Sequence, residues 1–209
     1  DLTVLVRSGR MVSRMMPPKA SDMIANWCRS HGVRVMGKTQ AARIDRDGGA
    51  LKVTLTTGEV LPADIYLSVV GVKPGIDFLE GSGIAIDSGI VVDEHMRTNL
   101  PGVFAAGDVA EARERVSGKP LVNAIQPNAV EQGRIAAANM AGGHGTFAGS
   151  LAMNVLDTLG LISGSFGQWA GVEGGEGVEF ADDAAYKYLS LQFHGDVLVG
   201  ATSIGFTEH

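Results

Sequence analysis

At 209 residues the chain has room for one large domain or two small ones with a real core. Its 45% hydrophobic and 19% charged content excludes a disordered polymer, and a net charge of −6 argues against nucleic acid, whose phosphates need concentrated Lys and Arg. No apolar run approaches the roughly 20 residues that span a bilayer, no secretory leader opens the sequence, and the lone Cys28 rules out an internal disulfide or redox Cys pair, pointing to a reducing cytoplasm. The 29 glycines follow no fixed period, so they read as tight turns and close backbone approaches.

Leu2 to Val6 is a short branched apolar run, expected as a buried parallel strand. Because a strand stands this near Asp1, the chain reads as opening inside a domain. A basic loop with Arg7, Arg10 and Arg14 follows, and Pro17-Pro18 suits a helix start. Ala20, Ile24, Trp27, Cys28 and His31 share one helical face, with Gly32 placed to end it and Val33 to Met36 as the next strand. This order implies a crossover in a parallel sheet. Residues 39–62 alternate around turn signals at Asp47-Gly48-Gly49 and Thr57-Gly58, as in an antiparallel meander. Ile65 to Val70 is expected as a fully apolar strand ending at Gly71-Val-Lys-Pro74.

Farther on, Ile84-Ala-Ile86 and Ile90-Val-Val92 flank a Ser88-Gly89 turn, and Val103 to Ala106 is expected as a strand entering Gly107-Asp108. A polar segment, 111–120, leads to Pro127. After it Ala129, Val130, Gly133, Ala136, Ala137 and Met140 are expected to form one face of a helix that ends at Gly142-Gly143. The remaining sixty residues read as an α+β or mostly β module, with a loop over 171–177 and a hairpin turning at His194-Gly195-Asp196.

The most informative stretch is Thr98-Asn-Leu-Pro-Gly-Val-Phe-Ala-Ala-Gly-Asp108. A strand ending in Gly-Asp puts a carboxylate at the sheet's carboxyl edge, where open α/β sheets bind ligands. Gly107 gives close access, and Asp108 can accept hydrogen bonds from hydroxyls such as those of a flavin's ribityl chain. Chemistry alone is equally content with an ordinary turn aspartate.

This segment resembles the second FAD-binding motif of the pyridine nucleotide-disulfide oxidoreductase family. So do its neighbours, in order. Asp64-Ile-Tyr-Leu-Ser-Val-Val-Gly-Val-Lys-Pro74 is similar to the family segment where the chain leaves the NAD(P)H domain for the FAD domain. Gly89-Ile-Val-Val-Asp93 resembles the stretch before the second motif, and Gln126-Pro-Asn-Ala-Val-Glu-Gln-Gly-Arg-Ile-Ala-Ala137 the helix whose amino end points at the flavin. Ala148 to Gly160 is similar to the opening of the carboxy-terminal domain in the branch of rubredoxin and ferredoxin reductases and nitrite reductase flavin domains.

The resemblance implies an α/β fold, part of a two-dinucleotide-binding-domain flavoprotein with a small α+β carboxy-terminal domain. Residues 1–72 would be the back half of the NAD(P)H domain, 73–145 the back half of the FAD domain, and 146–209 the carboxy-terminal, interface-type domain. It implies FAD as cofactor and NAD(P)H as co-substrate. Gly107 and Asp108 would meet the ribityl chain, Asn128 and Ala129 would open the helix aimed at the flavin, and Gly71 would lie near the nicotinamide, against a plain reading as a strand-ending glycine. Arg7 and Arg10 follow the strand whose end meets the adenosine ribose in dinucleotide folds. Arginines there favour NADP over NAD, because the guanidinium fork matches a 2′-phosphate; a solvated basic loop fits as well.

Cys28 reads as core, and His31, His95, His144, His194 and His209 show no metal-ligand spacing. The chain departs from the family in lacking any G-x-G-x-x-G, of which the family has two, so the helix amino ends that hold both pyrophosphates are absent. The expectation is a fragment that does not transfer hydride alone. The intact protein would pass hydride from NAD(P)H to FAD and on to an iron–sulfur or rubredoxin-type partner, a disulfide or oxygen. The competing expectation is a non-catalytic interaction or assembly module that uses its 146–209 segment, with a cofactor-free homo-oligomer as one form.

Overall fold

The computed structural model describes residues 1–206, so His209 lies outside the described residues. The chain forms two compact units. The first comprises residues 1–71 and 154–165 and the segment from Trp169 onward; the second comprises 72–153 and 166–168.

In the first unit, β1 (Leu2–Val6) pairs in parallel with β2 (Val33–Gly37), Leu2 opposite Val33 and Val6 opposite Gly37. Between them α1 (Pro18–Ser30) begins on a proline, whose missing N–H costs nothing in a first turn. It ends at His31, after which Gly32 takes φ +79°, the left-handed turn that glycine adopts without strain. Ala20, Ile24 and Cys28 recur every fourth residue and are buried with Met16, Met23, Val33, Leu161, Tyr188 and Ile204. Burial pushes the Cys28 thiol up from its ordinary range, in keeping with a core residue. The alternating stretch that follows forms an antiparallel meander of β3 (Ala41–Asp47), β4 (Ala50–Leu55) and β5 (Val60–Ala63), with Val53 and Leu55 buried and Lys52 exposed.

The second unit holds a small sheet. In it β6 (Ile90–Val91) runs parallel to β7 (Ala110–Arg113), which pairs antiparallel with β8 (Pro120–Val122). Helix α2 spans Gln126–Met140. Met96, Ala112, Ala136 and Phe147 form one buried cluster, and Ile90, Ala105 and Ala110 another.

The rest of the chain supplies β9 (Met153–Thr158), β10 (Leu161–Gly167), β11 (Glu176–Asp182), β12 (Lys187–His194) and β13 (Val197–Ile204). They make one sheet in the order β11-β12-β13-β10-β9, and no helix follows α2 among the described residues. Tyr188 is fully buried; desolvation and the neighbouring Glu179 carboxylate, 2.8 Å from its hydroxyl, push its pKa up to about 12.

Four local expectations are corrected. Ile65 to Val70 is not a strand: it has no ladder partner, and Ile65, Leu67, Val69 and Val70 are 76–88% exposed. A run apolar on both faces becomes a strand only when neighbours flank it on both sides, and none does among the described residues. Val103 to Ala106 makes only an isolated bridge, Phe104 opposite Arg97, before a 3-10 turn at Gly107–Val109. Residues 111–120 are no mere polar link, since they include most of β7 and begin β8. The buried side of α2 is Asn128, Gln132, Ala136 and Asn139, while Val130 and Met140 are exposed, because polar loop groups rather than an apolar layer lie against that side.

Gly89 shows how tightly the small sheet is closed. A Cβ there would lie 2.6 Å from Val122 Cγ2 and 2.7 Å from the Val109 carbonyl oxygen. Gly89→Ala is expected to cost about 1–3 kcal/mol of stability, read from urea midpoints. An unchanged midpoint would show that the sheet yields there freely.

Candidate functional site

The chemistry of the second unit gathers where the turn at Gly107–Val109 meets the amino end of α2. Gly107 has φ +81°, a conformation L side chains rarely adopt, and a Cβ on it would stand 3.7 Å from Ala129 Cβ. Its N–H donates to Gln132 Oε1 at 2.8 Å, which ties the turn to the second turn of the helix. Asp108, next in the chain, is exposed. Gln126, Pro127 and Asn128 form the helix's first turn, preceded by Ile125 in extended backbone and with no side-chain cap. The amino end therefore keeps unspent N–H groups and the positive end of the helix dipole. Bare backbone, a carboxylate and a partly positive helix end together suit a ligand that offers hydroxyls on one side and gains negative charge on the other.

Asn128 contributes differently from a ligand contact. Its amide Nδ2 donates to the Leu151 carbonyl at 3.3 Å and its Oδ1 accepts the Leu151 N–H at 3.4 Å, so the side chain fastens the chain beyond the helix. Only its backbone N–H remains available to a ligand. Gln132 and Asn139 belong to the same buried row and escaped the sequence reading. A signal was present: amides at 128, 132 and 139 recur at helical spacing, which marks a face that bonds to backbone rather than packs on a sheet.

Two carboxylates were likewise missed. Glu111 is buried and accepts the N–H groups of Ser88 and Gly89 at 2.8 and 3.0 Å. Glu114, 1% exposed, accepts from Val116 N–H at 3.0 Å, Ser117 N–H at 2.7 Å and Gln168 Nε2 at 3.2 Å. Burial pushes the Glu114 carboxyl up, but the bonds from Ser117, Val116 and Gln168 outweigh it and hold the pKa below its ordinary value.

Arg7, Arg10 and Gly71 belong to the first unit. Both arginines are exposed on the turn after β1, which closes with the Gly9 N–H on the Val6 carbonyl at 3.1 Å. Gly71 has φ +95°, and Arg14 Nη1 lies 3.9 Å from where its Cβ would be, so the basic loop and this glycine adjoin. Arg14 is the member of that loop that approaches Gly71. Among the described residues no group of three or more His, Cys, Asp or Glu could hold a metal ion, and no helix is long and apolar enough to cross a membrane.

A parallel strand–helix–strand unit, a Gly-Asp turn beside a helix amino end and a separate antiparallel sheet make a mixed α/β architecture consistent with part of a dinucleotide-binding fold. Comparison with known proteins agrees. The chain belongs to the pyridine nucleotide-disulphide oxidoreductase family, whose model matches residues 1–145. It is 36% identical over 197 residues to the NADH-dependent phenylglyoxylate dehydrogenase subunit epsilon of Aromatoleum evansii, covering 93% of this chain and 47% of that one. It is 31% identical over 144 residues to the putidaredoxin reductase of Pseudomonas putida, covering 68% of this chain and 34% of the reductase. Among solved structures, an NAD-dependent persulfide reductase from A. fulgidus superposes with a TM-score of 0.85 at 24% identity, over 99% of this chain and 41% of its own. The chain therefore spans about half or less of the length of these relatives.

The lowered Glu114 pKa has a pH signature. A carboxyl held below its unfolded value, roughly 4.3, contributes stability that is fully present above that pH and is lost as pH falls through the folded value. Glu114→Gln should lower stability by about 1–3 kcal/mol at neutral pH and flatten the acid limb of the stability curve. Urea midpoints across the acid range measure both; a variant with the unaltered acid slope would remove Glu114 from the account.

Proposed function

We propose that this chain forms the back halves of the two nucleotide domains of a flavoprotein oxidoreductase that passes hydride from NAD(P)H to FAD and on to an electron acceptor, with 1–72, 73–145 and 146–209 as its segments. The observation that carries the reading is the glycine turn at Gly107, bonded to Gln132 and set against the uncapped amino end of α2. In this reading Asp108 accepts hydrogen bonds from ribityl hydroxyls while Gly107 gives the chain of the flavin close passage. The N–H groups of Gln126 and Asn128 stabilise negative charge on the ring, while Ala129, whose N–H donates to the Ile125 carbonyl at 3.1 Å, stands beside Gly107. When bound, the flavin supplies the redox chemistry; the protein supplies position and electrostatics. Gly71 and the adjoining basic loop belong to nicotinamide-nucleotide binding, and Arg7 and Arg10 favour a 2′-phosphate by their bidentate fork.

The acceptor proposed is a small iron–sulfur protein. Support comes from the similarity to putidaredoxin reductase, whose fold also matches here in its covalent complex with putidaredoxin at a TM-score of 0.83 and 24% identity. A reducing cytoplasm suits a chain with one buried thiol. A second reading is an assembly module without redox chemistry that uses residues 146–209, where Val178 and Phe180 are exposed.

Purified chain incubated with FAD and desalted is expected to retain flavin absorbance, and Asp108→Ala to weaken retention by about tenfold or more, the worth of a charged hydrogen bond. A folded chain that keeps no flavin means either that binding needs the family's pyrophosphate-holding segments, which this sequence lacks, or that the chain is an assembly module. For the nucleotide, Arg7→Ala with Arg10→Ala is expected to weaken binding of 2′-phosphoadenosine nucleotides about tenfold while leaving their unphosphorylated counterparts unchanged. Equal losses for both would assign the loop a general electrostatic role.

A further inference from the structure

The first unit carries a surface that its core does not use. Strand β11 is an outer strand of the five-stranded sheet, and all seven of its residues are exposed. Side chains alternate along a strand, so Glu176, Val178, Phe180 and Asp182 share one face. In register they stand opposite Phe193, Leu191, Leu189 and Lys187 of β12. Val178 and Phe180 are 59% and 52% exposed, and with Glu179, Leu189 and Leu191 they line an open groove of about 130 Å³. The opposite face of β12 is spent on the core through Tyr188.

We propose that β11 is a docking edge for an extended segment of a partner protein, which adds as a further strand. That segment carries basic residues opposite Glu176 and Asp182 and apolar residues opposite Val178 and Phe180. The edge backbone supplies hydrogen bonds and the alternate side chains supply selectivity, the physics of strand addition. A strand kept merely inert would place charge where Val178 and Phe180 stand. These two are instead bracketed by carboxylates in an acid–apolar–apolar–acid row. Asp182 uses Oδ1 to accept the N–H groups of Ala184 and Ala185, and Glu179 Oε2 accepts the Tyr188 hydroxyl. Lys187, the basic neighbour across the ladder, extends its ammonium to 5.7 Å from the Phe206 ring centroid.

The same row argues against a second copy of this chain in the antiparallel register centred on Glu179. Antiparallel pairing of β11 with itself about Glu179 would set Glu176 against Asp182 at both ends, and like charges directly opposite are destabilising. No seven-residue segment of the sequence has basic residues at its ends and two large apolar residues at its third and fifth positions.

The test titrates the full chain with two synthetic peptides built around a seven-residue core. One has Lys at the first and seventh positions with Val at the third and fifth; the other has Glu at both ends. The Lys peptide is expected to bind at least about fivefold more tightly than the Glu peptide, with a preference that shrinks as salt rises. Alternate amides of β11, and not those of β12, should gain protection from hydrogen exchange. In Glu176→Lys with Asp182→Lys the preference should invert. Equal affinity for both peptides, no binding of the Lys peptide, protection elsewhere, or peptide-free self-association through β11 would each overturn the proposal. The unaltered chain with two peptides decides the matter even if the doubly substituted chain folds poorly.

Discussion

Three amides on the buried side of α2 hold the loops of the second unit. Gln132 accepts the Gly107 N–H, Asn128 exchanges bonds with Leu151, and Asn139 donates to the His95 and Gly145 carbonyls while accepting the Gly145 N–H at 2.7 Å. Backbone groups taken out of water cost free energy unless paired, so each loop has one low-energy place against this helix. An aliphatic face of the same shape would leave those groups orphaned. The position of the Gly-Asp turn over the helix's amino end is a consequence of that requirement.

Glu111 and Glu114 extend the same logic to β7 and the turn after it. Each buried carboxylate is surrounded by backbone N–H groups from a turn, residues 88–89 for one and 116–117 for the other. Anions so placed organise loops that apolar contact could not, because a loop offers mostly backbone. The first unit is built on the other principle. Its centre is apolar contact between one amphipathic helix and strands distant in sequence, with Ile24, Cys28, Tyr188 and Ile204 in one cluster. The loops after β1 and β5 extend from that base.

The chain belongs to a nucleotide-dependent oxidoreductase family and spans about half or less of the length of the relatives it matches. The exposed stretch from Ile65 to Val72 marks where apolar surface remains without strand neighbours in the chain as described. Its texture, branched residues on both faces, is that of a buried parallel strand.

Much of this was written in the sequence because it is local. The α1 face at Ala20, Ile24 and Cys28, its glycine stop, the meander turns at Gly48 and Gly58, and the hairpin at Gly195 each depend on residues a few positions apart. The turn at Gly107-Asp108 was legible for the same reason, since it is set by adjacent residues. What only the tertiary structure decided is where polar and apolar groups find partners. Residues 65–70 had the texture of a strand but no neighbour to bond. Of the apolar side expected for α2 only Ala136 is buried, with Val130 and Met140 exposed, while Asn128, Gln132 and Asn139 bond to loops twenty or more residues away. Periodicity gives the faces of an element; which face is buried depends on the hydrogen-bonding needs of whatever packs there, and those needs are set by chain segments distant in sequence.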